Sequence, residues 1–205
     1  MAKSPARRRP QQERSRERVE LILTTARKLI GTRGSDAVSM RDIASAAGIP
    51  ISSIYQYFPD KPALLQTILQ NYLLHMHQQL LNQFAGAASR KAWLAQIDPA
   101  IDQFFALFEA DPALAVIWSG ALADPTLCQQ NAQVDLNNAR MLADQLRALN
   151  PAIDVAEAET ALLFLLHSTG SAIQLASALP PPQVDQLKQE LKQLLRTRVQ
   201  QLLKS

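Results

Sequence analysis

The stretch Val38-Ser39-Met40-Arg41-Asp42-Ile43-Ala44-Ser45-Ala46-Ala47-Gly48-Ile49-Pro50-Ile51-Ser52-Ser53-Ile54-Tyr55-Gln56-Tyr57-Phe58-Pro59-Asp60-Lys61 decides how this chain is read. Two short helical patterns meet at Gly48. Ser39 stands where an N-cap is wanted, with Asp42 in the acidic first turn. Ile43 and Ala47 share a face at i, i+4, and Ala44 is small enough for two helices to cross closely. Gly48 can adopt the positive φ that stops a helix sharply. Ile49 and Ile54 point back to a small core, which leaves Ser52, Ser53 and Gln56 outward, suited to base edges. Tyr55, Tyr57 and Lys61 can reach phosphates. This is the layout of a helix-turn-helix, in which the second helix enters the DNA major groove. The plain alternative is a helix pair with a solvated polar face, and for Tyr55 a ring turned into the core.

Working outward, Val19, Ile22, Leu23, Ala26, Leu29 and Ile30 recur at helical spacing and give a first helix that ends near Gly31 to Gly34. The run resembles the DNA-binding domain of the TetR (tetracycline repressor) family of transcription regulators. Ala26, Leu29, Gly34, Ser39, Ile43, Ala44, Ala47, Gly48, Ile49, Tyr55, Tyr57, Phe58, Lys61, Leu64 and Leu65 match the family pattern over residues 19 to 65. Pro50 replaces a frequent Ser at the start of the recognition helix, and Ser35 replaces a frequent aromatic. The resemblance implies an all-α chain: a three-helix DNA-binding head, then a helical ligand-binding and dimerisation body. It implies that Ser39, Arg41, Ser52, Ser53, Tyr55, Gln56, Tyr57 and Lys61 carry the DNA contacts. Arg41 and the exposed recognition face would reach bases; Tyr57 and Lys61 would hold phosphates.

Charge divides the same way. Residues 1–62 hold 12 Lys/Arg against 6 Asp/Glu, a net +6, while residues 63–205 hold 9 against 12, a net −3. A basic third on an acidic remainder is the footprint of a nucleic-acid module joined to something else. Residues 1–14 read as a disordered basic arm, 15–62 as the DNA-binding domain and 63–205 as the body. Arg7, Arg8 and Arg9 in the arm suit minor-groove or phosphate contact, or a merely solvated tail.

In the body, no Asp, Glu, Lys or Arg occurs from Pro62 to Ser89, and Leu64, Leu65, Ile68, Leu69, Tyr72 and Leu73 repeat at 3 and 4. A long bridging helix is expected there. Asp98-Pro99, Asp111-Pro112 and Asp124-Pro125 read as three helix starts, an N-cap acceptor before a proline preset for the first turn. Asn150-Pro151 closes the third. Further helices are expected over 154–178 and, after Pro180-Pro181-Pro182, over 183–203, with no strand anywhere. The uncharged run from Thr160 to Val184 is too polar after Leu166 to span a bilayer, which needs about 20 apolar residues.

Other chemistry finds little footing. Of the 205 residues only Cys128 is a cysteine, which excludes an internal disulfide. His75 and His77 fall on different helix faces, a poor metal pair. No phosphate loop or nucleophile elbow appears. No basic-then-apolar signal opens the chain, so the cytoplasm is the expected compartment. No enzyme, cofactor or metal is expected.

Two site expectations remain for the body. Trp93, Phe104, Phe105, Phe108 and Trp118 cluster between residues 93 and 118, with Gln103, Asn137 and His167 as polar candidates. They can line a pocket for a small, hydrophobic ligand, as the resemblance implies, or simply fill a core. On the last helix Val184, Leu187, Leu191, Leu194, Leu195, Val199 and Leu202 form one stripe. The helix before it offers Ser168, Ser171, Ala172 and Ala176 for close approach. The stripe serves an internal core, or the four-helix dimer interface that the resemblance implies. A homodimer would read a near-palindromic operator. The functional expectation is a repressor released from DNA by a small molecule. The alternative is a DNA-binding or helical protein-interaction module without an inducer.

Overall fold

Ser39 sets the geometry of the head. In the computed structural model, which describes residues 11–122 and 124–204, Ser39 is an N-cap with extended backbone (φ −99°, ψ 162°). Its Oγ accepts from the Asp42 backbone N–H at 3.1 Å, and the Asp42 carboxylate accepts from the Ser39 N–H at 2.8 Å. That reciprocal pair satisfies two donors the helix start would leave open. The helix it begins, α2 (Met40–Ala47), ends at Gly48, whose φ of 65° is the left-handed value glycine adopts without strain. Before it lies α1 (Gln11–Arg33); after it come α3 (Ile51–Tyr55) and α4 (Lys61–Phe84).

Residues 11–14, expected in the disordered arm, belong to α1. Gln, Glu and Arg are good helix formers, and Glu13/Arg16 and Arg14/Glu17 pair opposite charges at i, i+3. Arg7, Arg8 and Arg9 lie outside the described residues. Pro50 caps α3 without a side-chain bond. The helix is short and closes through tight bonds from the Tyr57 and Phe58 N–H groups to the Ile54 carbonyl, both 2.9 Å. Ile22, Ala26, Ile30, Ile43, Ile54 and Leu64 are fully buried and make the core of the head.

The chain divides into two compact units between Ile68 and Leu69, inside α4. The second unit continues with α5 (Arg90–Ala95), α6 (Ile97–Ala110), α7 (Pro112–Leu122), α8 (Pro125–Leu149), α9 (Val155–Ala176) and α10 (Pro181–Leu202). The described residues contain no strand. Its core joins Phe84, Trp93 and Ile97 to Leu142 and Leu146 of α8, Leu162 and Leu165 of α9, and Val199 and Leu202 of α10. The Trp93 indole N–H donates to Gln145 Oε1 at 3.2 Å, so the buried ring leaves no open donor.

Two of the three Asp-Pro pairs start helices. Asp111 Oδ1 accepts from the Ala113 N–H at 3.1 Å, and Asp124 Oδ1 from Thr126 and Leu127 at 2.8 and 3.1 Å. Asp98-Pro99 does not: α6 begins two residues earlier than that pair would set it, at Ile97 with Gln96 at its N-cap. The first-turn N–H groups of a helix have no partner within it, so Pro99 fits there without breaking it. Asp98 instead pairs with Arg196 of α10.

Candidate functional site

The head presents a polar surface built around α3. Arg41, Ser52 and Gln56 are exposed, Tyr55 is half exposed, and Ser53, Tyr57 and Lys61 are partly covered. The Tyr55 ring therefore faces outward, not into the core. Ile54 between these residues is fully buried and anchors the helix, so the polar face is held by an apolar one. Two candidates already have partners within the fold. Ser39 is engaged in its cap, and the Lys61 ammonium donates to the Ser35 carbonyl. An ammonium carries three donors, so that bond orients Lys61 and leaves others for a phosphate.

Ser53, Gln56 and Tyr57 share a surface groove with Gln11, Gln12, Arg14, Ser15 and Arg18 from the start of α1. Arg14 and Arg18 were not among the candidates. They are one helical turn apart and exposed, and they bring positive charge beside the recognition face.

The body encloses a mainly apolar cavity of about 140 Å³. Leu73, Met76 and Leu80 of α4 wall it on one side, Ile101 and Phe104 of α6 and Trp118 of α7 on another, and Leu162, Leu165 and Gly170 of α9 on a third. Of the expected lining, Trp93, Gln103, Phe104, Trp118 and His167 border it. Phe105, Phe108 and Asn137 do not. Phe104 and Phe105 are neighbours on a helix and so diverge by about 100°. Phe105 is buried beneath Lys188, whose Nζ lies 5.1 Å from its ring centroid. Phe108 sits behind the lining, edge-on to both Phe104 and Trp118 with centroids 5.3 and 5.8 Å away. Asn137 is exposed and accepts from Gln133 Nε2 at 3.0 Å.

The polar part of the lining comes mostly from α8 and α9. Asn131, Asp135 and Asn138 fall on one stripe at i, i+4, i+7 and all border the cavity. Asn138 Oδ1 accepts the Nδ1–H of His77 on α4. Asp135 Oδ2 accepts from His167 Nδ1 at 3.2 Å. Burial pushes the Asp135 carboxyl above its ordinary value, with the His167 hydrogen bond and charge opposing. Asn131 is 7% exposed, and its Oδ1 has no hydrogen-bond partner among the described residues. The described residues of this lining include no Lys or Arg.

The dimer candidates separate by depth. Leu191 is buried within its own chain, as are Val199 and Leu202, while Leu195 packs against that core. Leu194 stays 50% exposed. On α9, Ser171 is exposed and Ser168, Ala172 and Ala176 are partly covered. They lie along a helix that also exposes Phe164 (65%) and Leu175 (53%).

Among the described residues no group of three His, Cys, Asp or Glu could hold a metal ion, and no helix is long and apolar enough to cross a membrane.

Comparison with known proteins agrees with this layout. An uncharacterized HTH-type transcriptional regulator of Bacillus subtilis (strain 168), YvdT, is 32% identical over 104 residues, 51% of this chain; the chain spans about half, 52%, of that relative's length. A TetR-family transcriptional regulator from Pectobacterium atrosepticum superimposes with a TM-score of 0.70 at 18% identity, over 95% of this chain and 97% of the other. RolR, solved in complex with its ligand resorcinol, does so with a TM-score of 0.62 at 14% identity, over 94% and 96%. Residues 22–68 match the model of bacterial regulatory proteins of the tetR family, and residues 91–203 match a tetracyclin repressor-like C-terminal domain. With both halves matched and a capped helix-turn-helix at the head, the chain belongs to the TetR family of bacterial transcriptional regulators.

Proposed function

We propose that this regulator is a homodimeric repressor that leaves its operator when a small molecule with a mainly apolar body fills the cavity of the second unit. The observation that carries this reading is the double membership of α4. Its first residue, Lys61, is tied to the head through Ser35, and its later turns, Leu73 to Phe84, wall the cavity. A ligand that favours one placement of those turns can bias the head through a single continuous helix. RolR, of the same fold, is a relative solved with a bound small molecule.

The operator would be a near-palindrome read by two recognition helices about 34 Å apart. Arg41, Ser52, Ser53, Tyr55, Gln56, Tyr57 and Lys61 would make the contacts, with Arg14 and Arg18 adding phosphate neutralisation. The switch would be a population shift: moving from 99% binding-competent to 1% needs roughly 10⁴-fold preference of the ligand for the released state. The test is operator selection from a random DNA pool with the full chain. The selected duplex is then titrated with and without cell metabolite fractions. The reading predicts a palindromic consensus and loss of binding with at least one fraction. Absence of sequence-selective binding, or a consensus that no fraction dissociates, rejects it.

A further inference from the structure

We propose that the cavity of the second unit recognises a small amphiphilic organic amine, with an apolar, ring-sized body and a cationic N–H donor head held by the Asp135 carboxylate and the Asn131 side-chain carbonyl. This rests on the reading of the cavity as the ligand site and specifies what that ligand is.

Charge is the first argument. Asp135 is the single carboxylate among the described residues of the lining, with a side chain only 16% exposed. Among the described residues the lining has no Lys or Arg, so an anionic ligand would bring a second negative charge beside the first with only the exposed His167 to offset it. Its partner among the described residues, His167, is displaceable. That side chain is 56% exposed and holds Asp135 by a single contact at 3.2 Å.

The second argument is the unpaired acceptor. Asn131 Oδ1 is buried without a partner among the described residues. A buried carbonyl in that state calls for a donor that the fold does not supply. Asn131 lies one turn before Asp135 on the same stripe of α8, about 6 Å along the helix axis. One ammonium group can donate to both acceptors, because it carries three N–H bonds. A hydroxyl carries one and a hydrocarbon none.

Size and shape supply the body. About 140 Å³ is close to the roughly 150 Å³ apolar cavity that accepts benzene. The rings of Phe104 and Trp118 border it and give apolar contact to a ring. Gly170 lets the Trp118 ring lie against α9, where a Cβ would come within 3.3 Å of it. The space is thus ring-sized because two aromatic side chains and a helix backbone close it.

The experiment uses the full chain and three probes that share one body: 2-phenylethylamine, 2-phenylethanol and 3-phenylpropanoate. Each is titrated calorimetrically at neutral pH into the wild type, Asp135→Asn and Asn131→Ala, with circular dichroism to verify the fold. The amine is expected to bind the wild type roughly tenfold or more tightly than the alcohol, with the propanoate weakest. Asp135→Asn should abolish the amine's advantage and leave the alcohol within about threefold of its wild-type affinity. Should that variant misfold, Asn131→Ala decides, by weakening the amine several-fold while sparing the alcohol. The proposal is overturned if the alcohol or propanoate binds the wild type as tightly as the amine. It is equally overturned if the amine fails to bind at about 10 mM or its advantage survives in a folded variant. The readout contains no DNA. Its failure leaves release by another ligand standing, whereas a chain that binds the amine but no operator sinks the repressor reading alone.

Discussion

His167 on α9 reaches the Asp135 carboxylate on α8 at 3.2 Å, yet the aspartate is mostly buried and the histidine is mostly not. Burial therefore dominates the titration of Asp135 and raises its pKa above the ordinary 3.8. The folded form holds its proton to higher pH than the unfolded chain does. Across that window the unfolded state binds fewer protons, so this group's contribution to stability falls as pH rises, and levels off above the raised value. Asp135→Asn removes the ionisation. Its melting temperature relative to wild type should rise from pH 3.5 upward and be highest near neutrality. Thermal unfolding of the pair across that range checks it; a difference flat in pH would show that Asp135 has no net burial penalty.

Gly170 and Gly120 separate two effects of glycine in a helix. Ala is favoured over Gly in a helix interior by about 1 kcal/mol. A Cβ at Gly120 on α7 meets nothing within 4 Å, so Gly120→Ala should gain most of that. A Cβ at Gly170 comes within 3.3 Å of the Trp118 ring, and that ring is already braced edge-on by Phe108. Overpacking of this kind costs about 1–3 kcal/mol, which cancels or exceeds the helix gain. Gly170→Ala should therefore be neutral to destabilising and shift Trp118 fluorescence, while Gly120→Ala should raise the melting temperature. Equal gains at both sites would mean that the ring yields freely.

The DNA-binding variants should fall into two kinds. Arg41→Ala and Gln56→Ala remove base-edge candidates; each should cost about 1–3 kcal/mol and relax sequence preference. Arg18→Ala should weaken all sequences alike and reduce the salt slope by about one phosphate contact. Lys61→Ala should do the same, with an additional loss of thermal stability because it also removes the bond to the Ser35 carbonyl. Salt-dependent titrations on the selected operator and on random duplex distinguish the two kinds. Uniform weakening by Arg41→Ala would reassign it to the backbone.

The head was legible in the sequence because local chemistry fixes it. Ser39, Asp42 and Gly48 start and stop a helix by bonds within a few residues, whatever packs around them. Asp124 and Asp154 mark helix starts for the same reason. Asp98 misled because an Asp-Pro pair suits a first turn as well as an N-cap. The cavity was less legible. Nothing in the spacing of Asn131, Asp135 and Asn138 distinguishes them from an ordinary solvated stripe of a helix, and only the packing of other helices over that face makes them a lining. Phe104 and Phe105 could not be told apart from composition, since one residue of helix rotation sends the first to the cavity and the second beneath Lys188.

Dimerisation offers the last prediction. Phe164 and Leu175 on α9 and Leu194 on α10 are all at least half exposed, large and apolar, which a lone chain gains nothing by presenting. On the proposed four-helix interface they would be covered by the same residues of a second copy. Leu191, Val199 and Leu202 are already buried in their own chain, so substituting them should unfold the body and not split a dimer. Leu194→Asp combined with Phe164→Ser should keep helical content and melting cooperativity while shifting sedimentation at micromolar concentration from a dimer to a species of 22.6 kDa. Operator affinity should fall with it, because a single head reads one half-site and loses the gain of linked binding. If the double variant still sediments as the wild type does, the exposed residues of α9 and α10 do not hold the dimer. If the wild type itself sediments at 22.6 kDa, the homodimer is wrong.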